Sequence, residues 1–189
     1  MYSQNGTPRY EYSSQDNERL ERAIKRMAMG EKAALAEVFE MTKTAIYGFV
    51  LSLLKDKYEA EDVFQEVYIK VYEHAASYEA CGKPMAWMLT IAKNQCYMRF
   101  RRVKNEQSME DVEESWTDSA NVEDKVMLEA AFLHLSDEER NIVILHVLSG
   151  LKHREIARLL DLPLATVLSK YHRTIKKLKG ILEESVNEN

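Results

Sequence analysis

The chain has little of what punctuates β-structure: its 189 residues include only 6 Gly and 3 Pro. A β-sandwich needs turn signals at roughly 8- to 12-residue spacing, which counts against that class, and the composition leans all-α. Long hydrophobic runs are missing too. The longest nearly unbroken one, Ile46 to Leu54, has nine residues, against the roughly 20 that span a bilayer. The polar amino terminus has no apolar signal-peptide core, so the expectation is a cytoplasmic protein with no membrane insertion. Cysteine is equally scarce. Cys81 and Cys96 lie fifteen positions apart without CxxC or Cys/His ligand spacing, which reads as two reduced thiols and argues against a disulfide framework or a zinc site.

Catalytic signatures are absent as well. The sequence contains no P-loop, Rossmann glycine pattern, HExxH or nucleophile elbow, and His74, His134, His146, His153 and His172 are scattered along it. His134 and His146 read as ordinary helix residues. An enzyme therefore has little support, and neither cofactor nor metal is implied. What is present is a globular balance of 46% apolar and 30% charged residues, enough to exclude disorder over the whole length.

The net charge of −5 is distributed in blocks. Residues 81–105 carry Lys83, Lys93, Arg99, Arg101, Arg102 and Lys104 with no acid, and residues 140–182 carry nine basic against two acidic side chains. Between them, residues 106–139 hold twelve acids and one base. Two basic segments divided by an acidic one outline a protein that touches a polyanion at two places, while the overall balance suppresses indiscriminate binding. A pair of solvated helical faces would give the same outline.

Residues 1–17 read as a flexible polar arm. Helical periodicity begins at Arg19, with Leu20, Ile24 and Met27 on one face and Gly30 as a stop. An apolar-periodic stretch reaches Leu54, and a helix is expected over 60–74, with Val63, Phe64, Val67 and Val71 opposite Asp62, Gln65, Glu66 and Lys70. After a loop over 77–83, Pro84 suits the first turn of a helix to about Arg102. Residues 105–121 are acidic and aperiodic, which reads as a linker between two small helical domains. In the second domain Ser136 and Glu139 form a capping-box signature, followed by a helix to Ser149 and a stop at Gly150. A short helix from His153 to Leu160, a turn over 161–163 and a long helix to Leu182 complete the chain, with residues 184–189 as an acidic tail.

The last two helices, joined by so short a turn, fit a helix-turn-helix whose second helix enters the major groove of DNA. On that helix Leu164, Val167, Leu168, Tyr171, Ile175 and Leu178 form an expected apolar stripe. Thr166, Ser169, Lys170, Arg173, Lys176 and Lys177 form a polar face, its first part sized for base edges and its basic end suited to phosphates.

These residues resemble a known family. The stretch LSDEERNIVILHVLSGLKHREIARLLDLPLATVLSKYHRTIKKLKGIL, from Leu135, is similar to region 4 of bacterial RNA polymerase sigma factors of the extracytoplasmic-function (ECF) group, within the sigma-70 family. AEDVFQEVYIKVYE resembles their core-polymerase-binding helix, and KPMAWMLTIAKNQCYMRFRR the segment of region 2 that melts and reads the −10 element. The resemblance covers residues 20–182 and implies an all-α initiation factor: a region 2-like domain over 18–104, the acidic linker, and a region 4-like domain over 122–183. Its implied partners are core RNA polymerase, promoter DNA and an anti-sigma factor.

Carried over residue by residue, the resemblance puts Asp62, Gln65, Glu66 and Lys70 on the polymerase. Lys83, Trp87, Lys93, Asn94, Arg99, Arg101 and Arg102 fall on the −10 element, with the 77–83 loop holding an extruded base; Trp87 reads first as a core aromatic and second as a stacking surface. Thr166, Ser169, Lys170, His172, Arg173, Lys176 and Lys177 fall on the −35 element. Three positions depart from the family pattern: Ala165 and Asp161 stand where Gly is common, and Leu168 where a basic residue is common. Asp tolerates the left-handed conformation that such a turn needs. Leu168 implies either an unusual −35 sequence or a side chain turned to the core. A helix-turn-helix regulator acting without polymerase is the alternative, although it has no need of residues 60–102. Whether the two domains pack together is open, because the linker is long enough for either arrangement.

Overall fold

Several helices start or stop on a local signal. In the computed structural model, which describes residues 14–106 and 135–187, α1 (Ser14–Ala28) buries Leu20, Ala23, Ile24 and Met27 and is followed by Gly30 at φ +89°. α2 (Lys32–Leu54) ends at Lys55 in the left-handed conformation. The Asp56 carboxylate then accepts the Glu59 amide at 2.9 Å to open α3 (Lys57–His74), which satisfies one of the donors left unpaired at a helix start. A 3₁₀ turn (Ala75–Ser77) and a loop lead to Pro84, the first residue of α4 (Pro84–Glu106). No helix among the described residues is long and apolar enough to cross a membrane.

These four helices pack in sequence order around Val38, Ile46, Phe49, Val63, Met88 and Leu89. An aromatic cluster of Phe39, Tyr47, Phe64 and Tyr68, with ring centroids 4.9–5.8 Å apart, joins α2 to α3. Below it the buried Thr42 hydroxyl donates to the Val38 carbonyl at 2.7 Å and meets the Tyr68 hydroxyl at 2.8 Å.

The second unit opens on the expected capping box. Ser136 and Glu139 each hold the other's backbone amide at the start of α5 (Asp137–Val147). α6 (His153–Leu160) ends at Asp161, with φ +57° and ψ +43°, so Asp does occupy the left-handed turn position. α7 (Leu164–Asn187) follows.

Several expected boundaries shift: α3 opens at Lys57 rather than residue 60, and α5 closes at Val147 rather than Ser149. Residues 14–17 of the expected arm are helical, because the first turn carries Asp16 against the positive end of the helix dipole. α4 runs through residues 105 and 106 of the expected linker, and α7 takes in residues 184–187 of the expected tail. Apolar periodicity ends earlier than the hydrogen-bonded helix in both. The rest of the linker, the start of the second domain and His134 lie outside the described residues.

The two units share one hydrophobic core, with α2 lying against α5. Gly48 permits the approach: a Cβ there would stand 3.1 Å from Leu148 Cδ1 and 3.8 Å from Ile144 Cγ2. Beside it the buried Ser52 Oγ meets Asn141 Oδ1 at 2.6 Å, and Lys55 pairs with Asp137 at 3.0 Å.

Candidate nucleic-acid interface

On α7, period and packing together decide which side chains face water. Val167 and Leu178 are buried, and Tyr171 and Ile175 are half-buried against the core. The remaining face exposes Ala165, Ser169, His172, Arg173, Lys176 and Lys177. Arg173 Nε donates to the Ser169 carbonyl at 3.2 Å, and the side chain is exposed. The face differs from the expected one at its edges. Lys170 is half-buried and pairs with Glu138 at 2.8 Å, and Thr166 is half-buried with its carbonyl accepting from Ser169 Oγ. Leu164 and Leu168, expected in the buried stripe, are instead exposed.

α6 braces this helix through rings that sequence reasoning treated separately. His146 and His153 stack with centroids 4.3 Å apart, and both lie edge-on to Tyr171. His146 Nδ1 also lies 2.9 Å from the Leu151 carbonyl. Three helices thus meet at one polar-aromatic contact. Among the described residues no group of three His, Cys, Asp or Glu side chains converges as a metal would require.

The second basic surface is α4. Asn94 and Arg101 stand in solvent on one face, joined by Thr90 and Tyr97 at helical spacing. Tyr97 and Phe100 are exposed aromatics with centroids 6.4 Å apart, and Lys93 sits 5.4 Å from the Tyr97 ring centre. The sequence reading passed over both aromatics; their signal was interleaving with Lys and Arg, a pattern suited to stacking on unpaired bases. Trp87 is half-buried against Tyr78 at 4.8 Å, the anchoring arrangement.

The basic residues of α4 are unequally available. Arg99 makes a two-toothed pair with Glu59 of α3, one contact at 2.6 Å, and this hydrogen bonding raises its pKa. Arg102 lies 4.0 Å from Glu66. Lys93 Nζ donates to the Leu159 carbonyl at 2.6 Å, and Lys83 pairs with Glu155 at 3.3 Å, so both reach across to α6.

The loop before α4 is held from behind. Glu21 of α1 accepts from the Tyr78 hydroxyl and from the Gly82 amide, both at 2.7 Å, with Gly82 at φ +72°. Burial, followed by the bond to Glu21, pushes the Tyr78 phenol well above its ordinary pKa, so it stays a donor. Cys81 is an exposed thiol in this loop, whereas Cys96 is buried in α4 and its pKa is pushed up to about 12 by that burial.

α3 presents Asp62 and Gln65 to solvent, while Glu66 and Lys70 are half-buried, Lys70 pairing with Glu73 at 2.7 Å. Tyr58, Ile69 and Tyr72 are exposed on the same stripe as Asp62 and Gln65, spaced three or four residues apart. Apolar side chains in water beside two polar ones form a mixed face that the sequence reading, centred on charge, missed.

Comparison with known proteins places both helical units in one family. Residues 38–106 match Sigma-70 region 2, and residues 125–178 match Sigma-70, region 4. The ECF RNA polymerase sigma factor SigK of Mycobacterium ulcerans (strain Agy99) is 29% identical over 181 residues, covering 88% of this chain and 95% of its own. SigW of Bacillus subtilis (strain 168), also an ECF RNA polymerase sigma factor, is 28% identical over 183 residues, covering 87% and 97%. Among solved structures, CnrH in complex with the cytosolic domain of CnrY has the same fold at TM-score 0.60 and 17% identity, covering 88% of this chain and 98% of that one. The sigma factor RpoE in complex with the anti-sigma factor NepR from Bartonella quintana is alike at TM-score 0.60 and 23% identity, covering 78% and 96%. With both regions matched in order and relatives aligned over nearly their whole length, the chain belongs to the ECF group of the sigma-70 family of RNA polymerase sigma factors.

Proposed function

We infer that this chain binds bacterial core RNA polymerase and directs initiation at promoters whose −35 element is read by α7 and whose −10 element is read by α4. The observation that carries this is the presence on one chain of two separate exposed helical faces, one strongly basic and one polar and aromatic with an arginine. Ser169, His172, Arg173, Lys176 and Lys177 form one, and Asn94, Tyr97 and Arg101 the other. The mixed stripe of Asp62, Gln65, Ile69 and Tyr72 on α3 is the docking face for polymerase, and Glu66 and Lys70 border it. The chain works as a cytoplasmic binding subunit and supplies no catalytic group of its own.

On duplex DNA, Lys176 and Lys177 meet phosphates and fix the register, while Ser169, His172 and Arg173 reach base edges in the major groove. At the −10 element Asn94 and the loop before α4 receive an unstacked base, Tyr97 offers a ring to stack on, and Arg101 holds the backbone. Glu21 keeps that loop folded. Arg99 has a different task, tying α3 to α4 through Glu59.

The two elements are about 25 base pairs apart, or about 85 Å at roughly 3.4 Å per base pair, whereas α4 and α6 touch through Lys93 and Leu159. The two readers therefore separate when both elements are engaged. The packed form engages Lys83 with Glu155 and Lys93 with the Leu159 carbonyl, which suits a factor that leaves DNA alone until polymerase spreads it. The solved relatives in complex with CnrY and with NepR support an anti-sigma partner for this chain also.

Gel filtration of the full chain with bacterial core polymerase, and separately with promoter-length duplex, tests this reading. Co-elution with core, and retention of duplex only when core is present, is the result expected. Failure to co-elute, together with tight duplex binding by the chain alone, would make it a helix-turn-helix regulator instead.

A further inference from the structure

Leu168 sits in the second turn of α7, in the half of a recognition helix that reaches base edges. Its neighbour Val167 is 0% exposed, yet Leu168 is 36% and Leu164, one turn back, 37% exposed. Neither joins the described hydrophobic core. Leu168 therefore stands partly open to solvent at the edge of the exposed face rather than within the core. Around it are Ala165, too small to obstruct close approach, then Ser169 and His172, with Arg173, Lys176 and Lys177 continuing the face toward phosphates.

A leucine side chain has no donor or acceptor. On the floor of the major groove the one base feature it can satisfy is the C5-methyl group of thymine, because the other edges present polar atoms that it would desolvate without pairing. We propose that Leu168, backed by Leu164 at i−4, packs on the methyl group of a thymine in the −35 element and so selects thymine at one position. This rests on the reading of α7 as the −35 reader. The departure from the basic residue common in the family thus exchanges an ionic contact for a methyl contact, and the charge needed for affinity is left to Arg173, Lys176 and Lys177.

The test uses holoenzyme assembled from the full chain and a promoter located by mapping transcript 5′ ends. Each thymine of its −35 element, on either strand, is replaced in turn by deoxyuridine, which removes the methyl group and leaves base pairing intact. At one thymine, wild-type holoenzyme should lose about fourfold in promoter affinity, the worth of roughly one buried methyl group. Leu168→Ala should show a comparable loss on the natural template and no further loss with deoxyuridine, whereas Leu168→Met, which keeps an apolar contact, should retain the sensitivity. Equal deoxyuridine penalties in wild type and Leu168→Ala, or a −35 element without thymine, overturn the proposal. Arg173→Ala separates the two levels of inference. If it leaves −35 dependence intact, α7 is not the reader; if it removes that dependence while Leu168 shows no coupling to the methyl group, the thymine contact alone fails.

Discussion

Lys93 and Leu159 are 66 positions apart, yet the Lys93 ammonium donates to the Leu159 main-chain carbonyl at 2.6 Å. A side chain of the proposed −10 reader is thus bonded to the backbone of the helix-turn-helix. The same interface holds the Ser52–Asn141 pair and the close approach at Gly48. If α4 and α7 read two promoter elements as proposed, these contacts must open, and the energy of this interface sets how readily they do.

Gly48→Val tests that interface. The added carbons run into Leu148 and Ile144, and overpacking of this kind costs about 1–3 kcal/mol. Small-angle scattering should show a larger radius of gyration with unchanged helical circular dichroism. An unchanged radius would mean that α5 absorbs the bulk without leaving α2.

Neighbouring arginines on α4 should behave differently. Arg99→Ala removes the pair with Glu59 and should lower stability by about 0.2–1 kcal/mol, the range for a solvent-accessible ion pair. Arg101→Ala should leave the melting temperature alone and weaken promoter binding by holoenzyme, reducing the salt slope by about one. The reverse pattern in melting and filter-binding measurements would exchange their roles.

On α7, Arg173→Ala should impair initiation most on templates that keep a −35 element. Lys176→Ala should weaken binding across sequences and lower the salt slope by about one. Equal losses on every template in run-off transcription would contradict this division.

For α3, Asp62→Lys and Ile69→Ser should each reduce co-elution with core polymerase while the melting temperature holds, because both side chains are exposed. Undiminished co-elution of both variants would remove this stripe from the docking face.

The Glu139 carboxyl is held below its ordinary pKa of 4.5, chiefly by the Ser136 backbone amide, with burial opposing. Its folded value being depressed, the stability it adds is fully present above 4.5 and is lost as pH falls through the lower folded value. Glu139→Gln should therefore flatten the fall in melting temperature below that pH. Parallel acid limbs in the two proteins would contradict the assignment.

Features governed by neighbours in sequence were legible from it: the Ser136–Glu139 box, the left-handed Asp161, Pro84 at a helix start and the buried Val63–Val67–Val71 face. The side of α7 that takes Leu168 was not, since Leu168 lies at the edge of the apolar stripe, where a helical period of about 3.6 residues allows either environment. The pairing of Arg99 with Glu59 was not legible either, because the two are 40 positions apart and meet only in the folded bundle. Charge counting likewise found the basic block of α4 without showing that Lys83 and Lys93 are occupied by the second unit.

The most direct test of the sigma-factor account is transcription of sheared genomic DNA from the source organism by bacterial core polymerase, with and without this chain, with transcript 5′ ends mapped. The account predicts new starts that appear only with the chain and share paired −35 and −10 elements. A set of starts identical with and without it would contradict the account.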